Sequence, residues 1–507
     1  MSTTYAQHEH TDFTGASLEA LETPTLQSAL ARLGVTLAAG NRAAWGALPG
    51  SDELRERARQ IKDDALARLD ELLVQTEDAV RRAGGYVHWA SDVAEARRIV
   101  LEIARERGVK CIVKSKSMTT EEIHLNPALE EAGIEVVETD FGEYIAQAAK
   151  QRPSHLVAPI IHMTVEQVAE VLSNHLKQDL PPDASTLAKA ARAALREKFR
   201  TADMGITGAN FVVAETGTIC IISNEGNARL TSTVPPIHLA IAGIEKVIPR
   251  LADLPVFLKL LARAATGQKM SVYTSLITGP RREGNRESAV GSSVENAAAS
   301  GALLPTAGSL FPELDGPREF HLIFLDNGRT KILGSSYRES LYCIRCGACL
   351  NACPVYRKVG GHAYGGVYAG PIGAVLTPLY DGLPDYPLLP HASSLCGACQ
   401  TACPLKIAIP HMLVHLREDL HRESEMVEAE SLIYSLCKLG LRWPRLYRIG
   451  AWLTTRLFGG RAGGWFKSLP GPFAGWTHAR DFPAPARRTF REQWESLNGE
   501  SDRGAKP

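Results

Sequence analysis

Seven of the ten cysteines lie between residues 343 and 403, at spacings short enough for them to bind one inorganic group together. The first run, CIRCGACLNACP, holds Cys343, Cys346, Cys349 and Cys353 in a C-x2-C-x2-C-x3-C-P pattern. The second run, SSLCGACQTACP, holds Cys396, Cys399 and Cys403 and ends in Pro404. Cysteines clustered in this way indicate metal ligation rather than disulfides when the chain carries no export signal.

The first run has the spacing of a bacterial two-cluster ferredoxin. Its three closely spaced cysteines allow one loop to wrap an iron–sulfur cubane, and the cysteine before proline points to the other cluster. Zinc is the main competitor for thiolate ligands. A zinc site would need only four ligands in two pairs, and this does not account for three closely spaced cysteines followed by Cys-Pro. The pattern therefore predicts two iron–sulfur clusters.

The crossed ligand pattern predicts one complete and one incomplete ligand set. The first cluster, a 4Fe-4S cluster, takes Cys343, Cys346, Cys349 and Cys403. The second takes Cys353, Cys396 and Cys399, and its fourth position aligns with Ser393. Three outcomes stay open: a 3Fe-4S cluster, a 4Fe-4S cluster with an oxygen ligand such as Ser393 or Ser394, or an iron open to a partner or substrate. A turn or helix-capping role competes for either serine.

The elements before the cysteine runs follow an α/β rhythm. Short apolar strands near 86–89, 109–113 and 134–137 alternate with helical segments, which predicts βαβ units and an open, mainly parallel sheet. Two apolar runs within 211–223 flank a Glu-Thr-Gly turn and predict a hairpin. The chain then divides into a helical lead-in (1–52), an α/β domain (53–335) with a mobile surface insertion (283–315), an α-helical ferredoxin domain (336–424) and a C-terminal docking segment with its tail (425–507).

Ligands of open parallel sheets bind beyond the carboxyl ends of the strands. Two loops qualify here, and they contribute Lys114, Lys116, Asn224 and Asn227 as a candidate anion or substrate site. The lysines could attract a carboxylate, although all four residues could equally serve turns and caps. The sequence has neither a G-x-G-x-x-G motif after a strand nor a Walker A run, so it gives no case for a nucleotide cofactor. A flavin without a recognisable motif stays open, and the sequence identifies no catalytic base.

The overall charge balance argues against nucleic acid as a partner. Lys plus Arg and Asp plus Glu both total 56, whereas binding of nucleic acid regardless of its sequence needs a basic excess. No apolar run reaches the roughly 18 residues of a membrane span. The N-terminal sequence lacks the pattern of a signal peptide, so we expect a cytoplasmic protein.

Several motifs together resemble the lactate utilization protein B (LutB) family, iron–sulfur subunits of a three-component bacterial L-lactate oxidation system. The resemblance covers about residues 55–495, and the absence of the second run's first cysteine is shared with that family. Its most specific pieces are KSKSMTTEEIHLN (114–126), GITGANFVVAETGT (205–218), SNEGNARLTSTVPPIH (223–238) and the two cysteine runs. The resemblance implies an α/β domain like those of the sugar-phosphate isomerase and CoA-transferase group. It also implies two partners, a cysteine-rich LutA-like subunit and a smaller LutC-like subunit.

These inferences predict a component of an oxidoreductase complex rather than its catalytic subunit alone. Oxidation of L-lactate to pyruvate removes two electrons, and two nearby one-electron clusters can relay them. Two alternatives remain. The chain could be a ferredoxin-type subunit serving another 2-hydroxy acid or glycerol phosphate dehydrogenase, or a carboxylate-binding enzyme whose clusters are structural.

Overall fold

The computed structural model describes residues 12–115, 117–154, 159–281, 316–423, 428–458, 464–469, 471, 474, 477 and 480–494. The described residues up to Leu420 form one compact unit, and those from His421 onward form another. The expected insertion at 283–315 and Lys116 lie outside the described residues.

The first unit is built on a parallel sheet, which confirms the expected mainly parallel α/β architecture. The described strands are β1 (Tyr86–Ala90), β2 (Cys111–Lys114), β3 (Glu135–Glu138), β4 (Met204–Gly208), β5 (Phe211–Val213), β6 (Thr218–Ser223), β7 (Ile237–Gly243), β8 (Val247–Ile248), β9 (Tyr273–Ile277), β10 (Glu319–Leu325), β11 (Trp465–Phe466) and β12 (Phe482–Pro483). Six of them pair in the order β1-β10-β7-β4-β2-β3, and every neighbouring pair is parallel.

Helices cover both faces of this sheet. Every residue of β7 is buried, as expected for a central parallel strand whose two faces are both covered. The helices are α1 (Phe13–Glu22), α2 (Pro24–Gly46), α3 (Ser51–Ala67), α4 (Leu69–Arg82), α5 (Val93–Glu106), α6 (Met118–Glu122), α7 (Leu125–Glu131), α8 (Phe141–Ala148), α9 (Val165–Leu176), α10 (Ala184–Thr201), α11 (Asn227–Thr233), α12 (Leu254–Thr266), α13 (Arg329–Leu333), α14 (Ala348–Ala352), α15 (Tyr356–Val359), α16 (Gly370–Asp381), α17 (Ala398–Ala402), α18 (Ile409–Glu423), α19 (Glu428–Arg442) and α20 (Pro444–Phe458).

A smaller sheet lies beside the parallel one. Its described strands run in the order β8-β5-β6-β9, and β5 pairs with β6 in antiparallel fashion, which confirms the predicted hairpin. The hairpin turn ends at Gly217, whose φ of +68° is the left-handed conformation that glycine adopts without a Cβ clash. Added bulk there would meet the backbone nitrogen of Val80 at 2.7 Å, so the turn also needs a residue without a side chain.

The cysteine-bearing segment packs on the α/β elements through helix α3. Three residues spaced four apart on one face of α3 contact it: Arg55, Arg59 and Asp63. Arg55 Nη2 donates to the carbonyl oxygen of Cys403 at 2.7 Å, and Asp63 Oδ1 accepts from the Tyr342 hydroxyl at 2.6 Å. One apolar core runs from α3 and the small sheet into the segment that carries the cysteines. The position of the cysteine runs is therefore fixed relative to the sheet.

The second unit consists of helices α19 and α20, which contact each other, and the antiparallel pair β11 and β12. Several large apolar side chains on these helices are exposed, among them Tyr434, Leu436, Trp443 and Trp452. Within the described residues, no helix is both long and apolar enough to cross a membrane.

Candidate metal centre

Four cysteines from the two runs line one cavity. They are Cys343, Cys346, Cys349 and Cys403, and the remaining walls are mainly apolar, including Ile344, Ile372, Leu405 and Ile407. These are the four residues that the crossed pattern assigns to the first cluster. Among the described residues, no group of three His, Cys, Asp or Glu side chains is arranged to hold a single metal ion. The donor set of four cysteine thiols around one cavity fits the chemistry of an iron–sulfur cluster, which is held by thiolates.

In the first cysteine group, Cys349 and Cys403 are buried, and Cys343 and Cys346 are partly exposed. Only 7% of Cys349 and of Cys403 is exposed, and burial raises the pKa of the Cys403 thiol to about 11. Burial also raises the pKa of Cys346 and Cys349, and the neighbouring cysteines of the group raise both further. Thiols in this state lose their protons when a cation compensates the thiolate charge, and metal ligation supplies that compensation.

The second group, Cys353, Cys396 and Cys399, combines two buried cysteines with the exposed Cys396. Burial raises the pKa of Cys399 to about 11, with smaller contributions from Cys353 and Cys396. Cys396 is exposed, and its pKa is lowered by hydrogen bonds from the backbone N–H of Ala398 and from the Ser394 side chain. The second site therefore stabilises a thiolate by local hydrogen bonds.

Two short helices connect the groups. Helix α14 carries Cys349 of the first group and is followed by Cys353 of the second, while α17 carries Cys399 of the second and is followed by Cys403 of the first. Four residues of helix advance about 6 Å along the axis. The two groups are therefore neighbours, separated by little more than one helical turn.

Both runs adopt the same backbone path ahead of these helices. Arg345 and Leu395, each just before a cysteine, have φ values of 58° and 56°, and Gly347 and Gly397, each just after it, have 75° and 79°. The left-handed conformation costs a non-glycine residue roughly 1–2 kcal/mol, so its repetition marks a constrained loop.

The shared path places Ser393 where the first run has a cysteine. The backbone N–H of Arg345 donates to Cys343 Sγ at 3.4 Å. In the second run, the backbone N–H of Leu395 donates to Ser393 Oγ at 3.1 Å. The serine oxygen thus occupies the same local position as a cysteine sulfur.

A second cavity, which we call the strand-end cavity, lies at the carboxyl ends of three adjacent strands. Ser115 follows β2, Gly208 ends β4, and Lys246 lies in the 3-10 turn after β7; all three line the cavity. Its volume is about 190 Å³, and Arg345 and Tyr368 from the cysteine-bearing segment close it. Arg345 also lines the first cysteine cavity, so the two cavities share a wall.

The lysine and asparagines predicted for this edge do not line the strand-end cavity. Lys114 is fully buried, and its Nζ lies 2.8 Å from Glu138 Oε1 and 2.9 Å from Thr120 Oγ1. Burial alone would lower the pKa of Lys114, but the nearby carboxylates, led by Glu138, outweigh it and raise the pKa. Asn224 hydrogen-bonds Gln268 and the backbone of Val272, and Asn227 accepts from the Ser223 hydroxyl at 2.9 Å.

A buried ion network lies next to both cavities. Arg329 binds both carboxylate oxygens of Glu122, at 2.8 and 2.9 Å, and its Nε donates to Glu245 Oε2 at 2.6 Å. Tyr368 donates its hydroxyl to Glu122 at 2.6 Å, and the Arg345 guanidinium lies 4.3 Å from the centroid of the same tyrosine ring. Burial would raise the pKa of Glu245, but Arg329 and the other cations lower it to about 2. The network joins the α/β elements to the first cysteine loop.

Sequence reasoning missed Lys246 and Arg345 as site residues. Arg345 stands inside the first cysteine run, so its proximity to the metal centre could have been read from the motif. Lys246 carries no local signal, because its Ile-Glu-Lys context resembles an ordinary turn after a strand. Only the arrangement of the strands brings the two residues to one cavity.

Family models match three parts of the chain. Residues 73–296 match the LUD domain, residues 339–407 match a 4Fe-4S dicluster domain, and residues 417–498 match the C-terminal region of lactate utilisation protein B. The dicluster match covers both cysteine runs.

Full-length relatives are similar over most of the chain. A lactate utilization protein B from Geobacillus kaustophilus is 42% identical over 448 residues, covering 88% of both chains. Another from Bacillus pumilus is 42% identical over 462 residues, covering 89% of this chain and 92% of the relative. A third, from Bacillus cereus, is 41% identical over 446 residues. The match to a solved DUF162 family protein from Deinococcus radiodurans covers 51% of this chain and 98% of the other at 15% identity, with a TM-score of 0.24.

Proposed function

The chain belongs to the lactate utilization protein B family, and we propose that this lactate utilization iron–sulfur protein relays electrons between L-lactate oxidation and an acceptor. The 4Fe-4S dicluster domain gives it the iron–sulfur character. The relay is the function that best accounts for two neighbouring cysteine groups with different exposures.

The ligand sets follow the crossed pattern. Cys343, Cys346, Cys349 and Cys403 hold the first 4Fe-4S cluster, and their common cavity supports this assignment. Cys353, Cys396 and Cys399 hold the second. We infer that Ser393 Oγ is its fourth ligand, because this oxygen accepts the same backbone hydrogen bond as Cys343 Sγ. The second cluster is then a 4Fe-4S rather than a 3Fe-4S cluster.

Oxidation of L-lactate to pyruvate breaks one C–H and one O–H bond and releases two electrons and two protons. Clusters held by the two cysteine groups would each supply one-electron redox chemistry, so the two groups together would provide for both electrons. The chain's own residues fix the two groups at the ends of α14 and α17, and they leave Cys396 accessible at the outer one. This helix-linked pair of cysteine groups, of which the second has an exposed member in Cys396, is the observation that carries the proposal.

The proposed complex has two other subunits. A cysteine-rich LutA-like subunit and a LutC-like subunit exchange substrate or electrons with this chain, and lactate itself is oxidised at or near a partner. The exposed apolar side chains of α19 and α20 support a docking role for residues 425–507. We propose further that the α/β domain is similar to those of the sugar-phosphate isomerase and CoA-transferase group. The domains begin at residues 53, 336 and 425 in this proposal.

The relay is tested on anaerobically purified full-length chain. About eight irons per chain, with EPR signals only after dithionite reduction, are expected for two 4Fe-4S clusters. With both partners added, L-lactate should bleach the iron–sulfur absorbance, whereas glycolate and glycerol 3-phosphate should not. Bound zinc without iron, or equal bleaching by either control substrate, would contradict the proposal.

A further inference from the structure

We propose that the strand-end cavity binds a small carboxylate anion, of the 2-hydroxy or 2-oxo acid class, through Lys246 and Arg345 beside the first cluster site. The proposal rests on the proposed function only in the choice of acid. The cavity itself argues for an anion.

Lys246 is a buried cation without a counterion in contact. Only 8% of the residue is exposed, and it lines the strand-end cavity. Among the described residues, its ammonium group makes neither a hydrogen bond nor an ion pair, in contrast to Lys114, which is held by Glu138. A buried charge of this kind is costly unless a partner compensates it.

Arg345 brings a second cation to the same cavity with spare donors. Its Nη1 is buried and has no hydrogen-bond partner in the described structure. Its Nη2 reaches only long contacts, 3.4 Å to the Tyr380 hydroxyl and 3.5 Å to Glu245 Oε1. A guanidinium group with free N–H donors binds carboxylates in a forked geometry.

The two cations also repel each other. Burial lowers the pKa of Lys246 and the charge of Arg345 lowers it further, against the opposing attraction of Glu245 and Cys343. An anion between the two cations would relieve this repulsion and the burial cost together.

The remaining walls suit a short acid. Ser115, Ser117 and Asn210 offer polar groups, Met118 and Ile221 offer apolar contacts, and none of the described residues that line the cavity is a carboxylate. Its volume of about 190 Å³ has room for several water-sized groups and therefore for a three-carbon acid. Gly208 leaves this space open, since an added Cβ would lie 2.9 Å from Ser117 Oγ.

A competing explanation is that both cations only offset the negative charge of the first cluster. Arg345 borders the cysteine cavity and fits that role, but Lys246 lines the strand-end cavity and not the cysteine cavity. The two explanations differ in whether Lys246 matters for a soluble ligand.

Isothermal titration of the anaerobic, iron-loaded full chain tests the site with pyruvate and L-lactate, and with lactamide as the neutral analogue. We expect saturable binding of the acids and none of lactamide. Lys246→Met should weaken acid binding roughly tenfold or more, Lys246→Arg should largely retain it, and the exposed control Lys259→Met should match wild type. Pyruvate should also shift the EPR signal of the reduced first cluster.

Absence of saturable binding to the wild-type chain, or unchanged binding in Lys246→Met, would overturn the proposal. Should Lys246→Met fail to fold, the comparison of pyruvate with lactamide and the EPR shift in wild type still decide it. If the partners and lactate reduce the chain while no acid binds, the relay stands and this site fails. If acids bind but lactate never reduces the complex, this site stands and the relay fails.

Discussion

The two cysteine sites share one local structure and differ in their surroundings. Both use the same left-handed turn and a short helix, yet the first lies in a buried cavity beside the Glu122–Arg329–Glu245 network, while the second exposes Cys396. The first site is held by residues distant in sequence. The second has hydrogen bonds within its own loop, and Arg417 also donates to the Ser393 carbonyl oxygen.

This difference indicates a direction for the relay. The buried site adjoins the strand-end cavity, where we propose a carboxylate binds, and the outer site faces the surface, where a partner can approach. Under the proposed relay, the two cysteine groups would therefore be an inner and an outer electron-transfer site. The following variants test that contrast, beginning with the largest expected effect.

Removing a ligand should affect the two sites unequally. Cys349→Ser should lose about four irons and much of the thermal stability, because binding of the first cluster is coupled to folding of the core. Cys396→Ser should change only the second cluster and leave the melting temperature nearly unchanged. Iron analysis and thermal unfolding under anaerobic conditions measure both. Equal destabilisation by the two variants would remove the contrast.

Breaking the buried network should destabilise the first site's surroundings. Arg329→Met leaves Glu122 and Glu245 without their main counterion and should cost about 3–5 kcal/mol in the free energy of unfolding. The matched control is Lys406→Met, which breaks exposed pairs with Asp52 and Glu56 and should cost about 0–1 kcal/mol. Urea unfolding compares them, and a similar cost for both variants would contradict the assigned role of the network.

Substitutions at two glycines distinguish the cost of a steric clash from the cost of a left-handed backbone conformation. A Cβ on Gly373 would lie 2.2 Å from the Tyr368 carbonyl oxygen, so Gly373→Ala must move the start of α16, next to the first cavity. Gly397 has open space but a φ of +79°, so Gly397→Ala should cost only about 1 kcal/mol. We expect Gly373→Ala to cost more and to perturb the first cluster's EPR signal. A larger effect from Gly397→Ala would refute this ranking.

The smallest expected change concerns a single iron. Ser393→Ala should lower the iron content by about one per chain and produce the oxidised-state EPR signal of a three-iron cluster. Ser393→Cys should retain the full iron content, and Ser394→Ala is the neighbouring control. Unchanged iron and EPR spectra in Ser393→Ala would show that the serine serves only its turn.

Local sequence patterns predicted several structural features of this protein. The mainly parallel sheet and the hairpin at β5 and β6 were readable because strand periodicity and turn residues act over a few positions. The spacing of the cysteines within each run was readable for the same reason, since it is a property of one loop. The candidate anion residues were harder, because any basic residue after a strand looks alike in sequence.

The sequence by itself determined the two cysteine runs, the missing cysteine at position 393 and the family to which the chain belongs. Only the tertiary structure decided that Lys114 is neutralised by Glu138 while Lys246 and Arg345 share a cavity without an acidic wall. The physical reason is that ion pairing depends on which strands are neighbours. Strand order is set by packing of the whole core rather than by the residues on either side of a lysine.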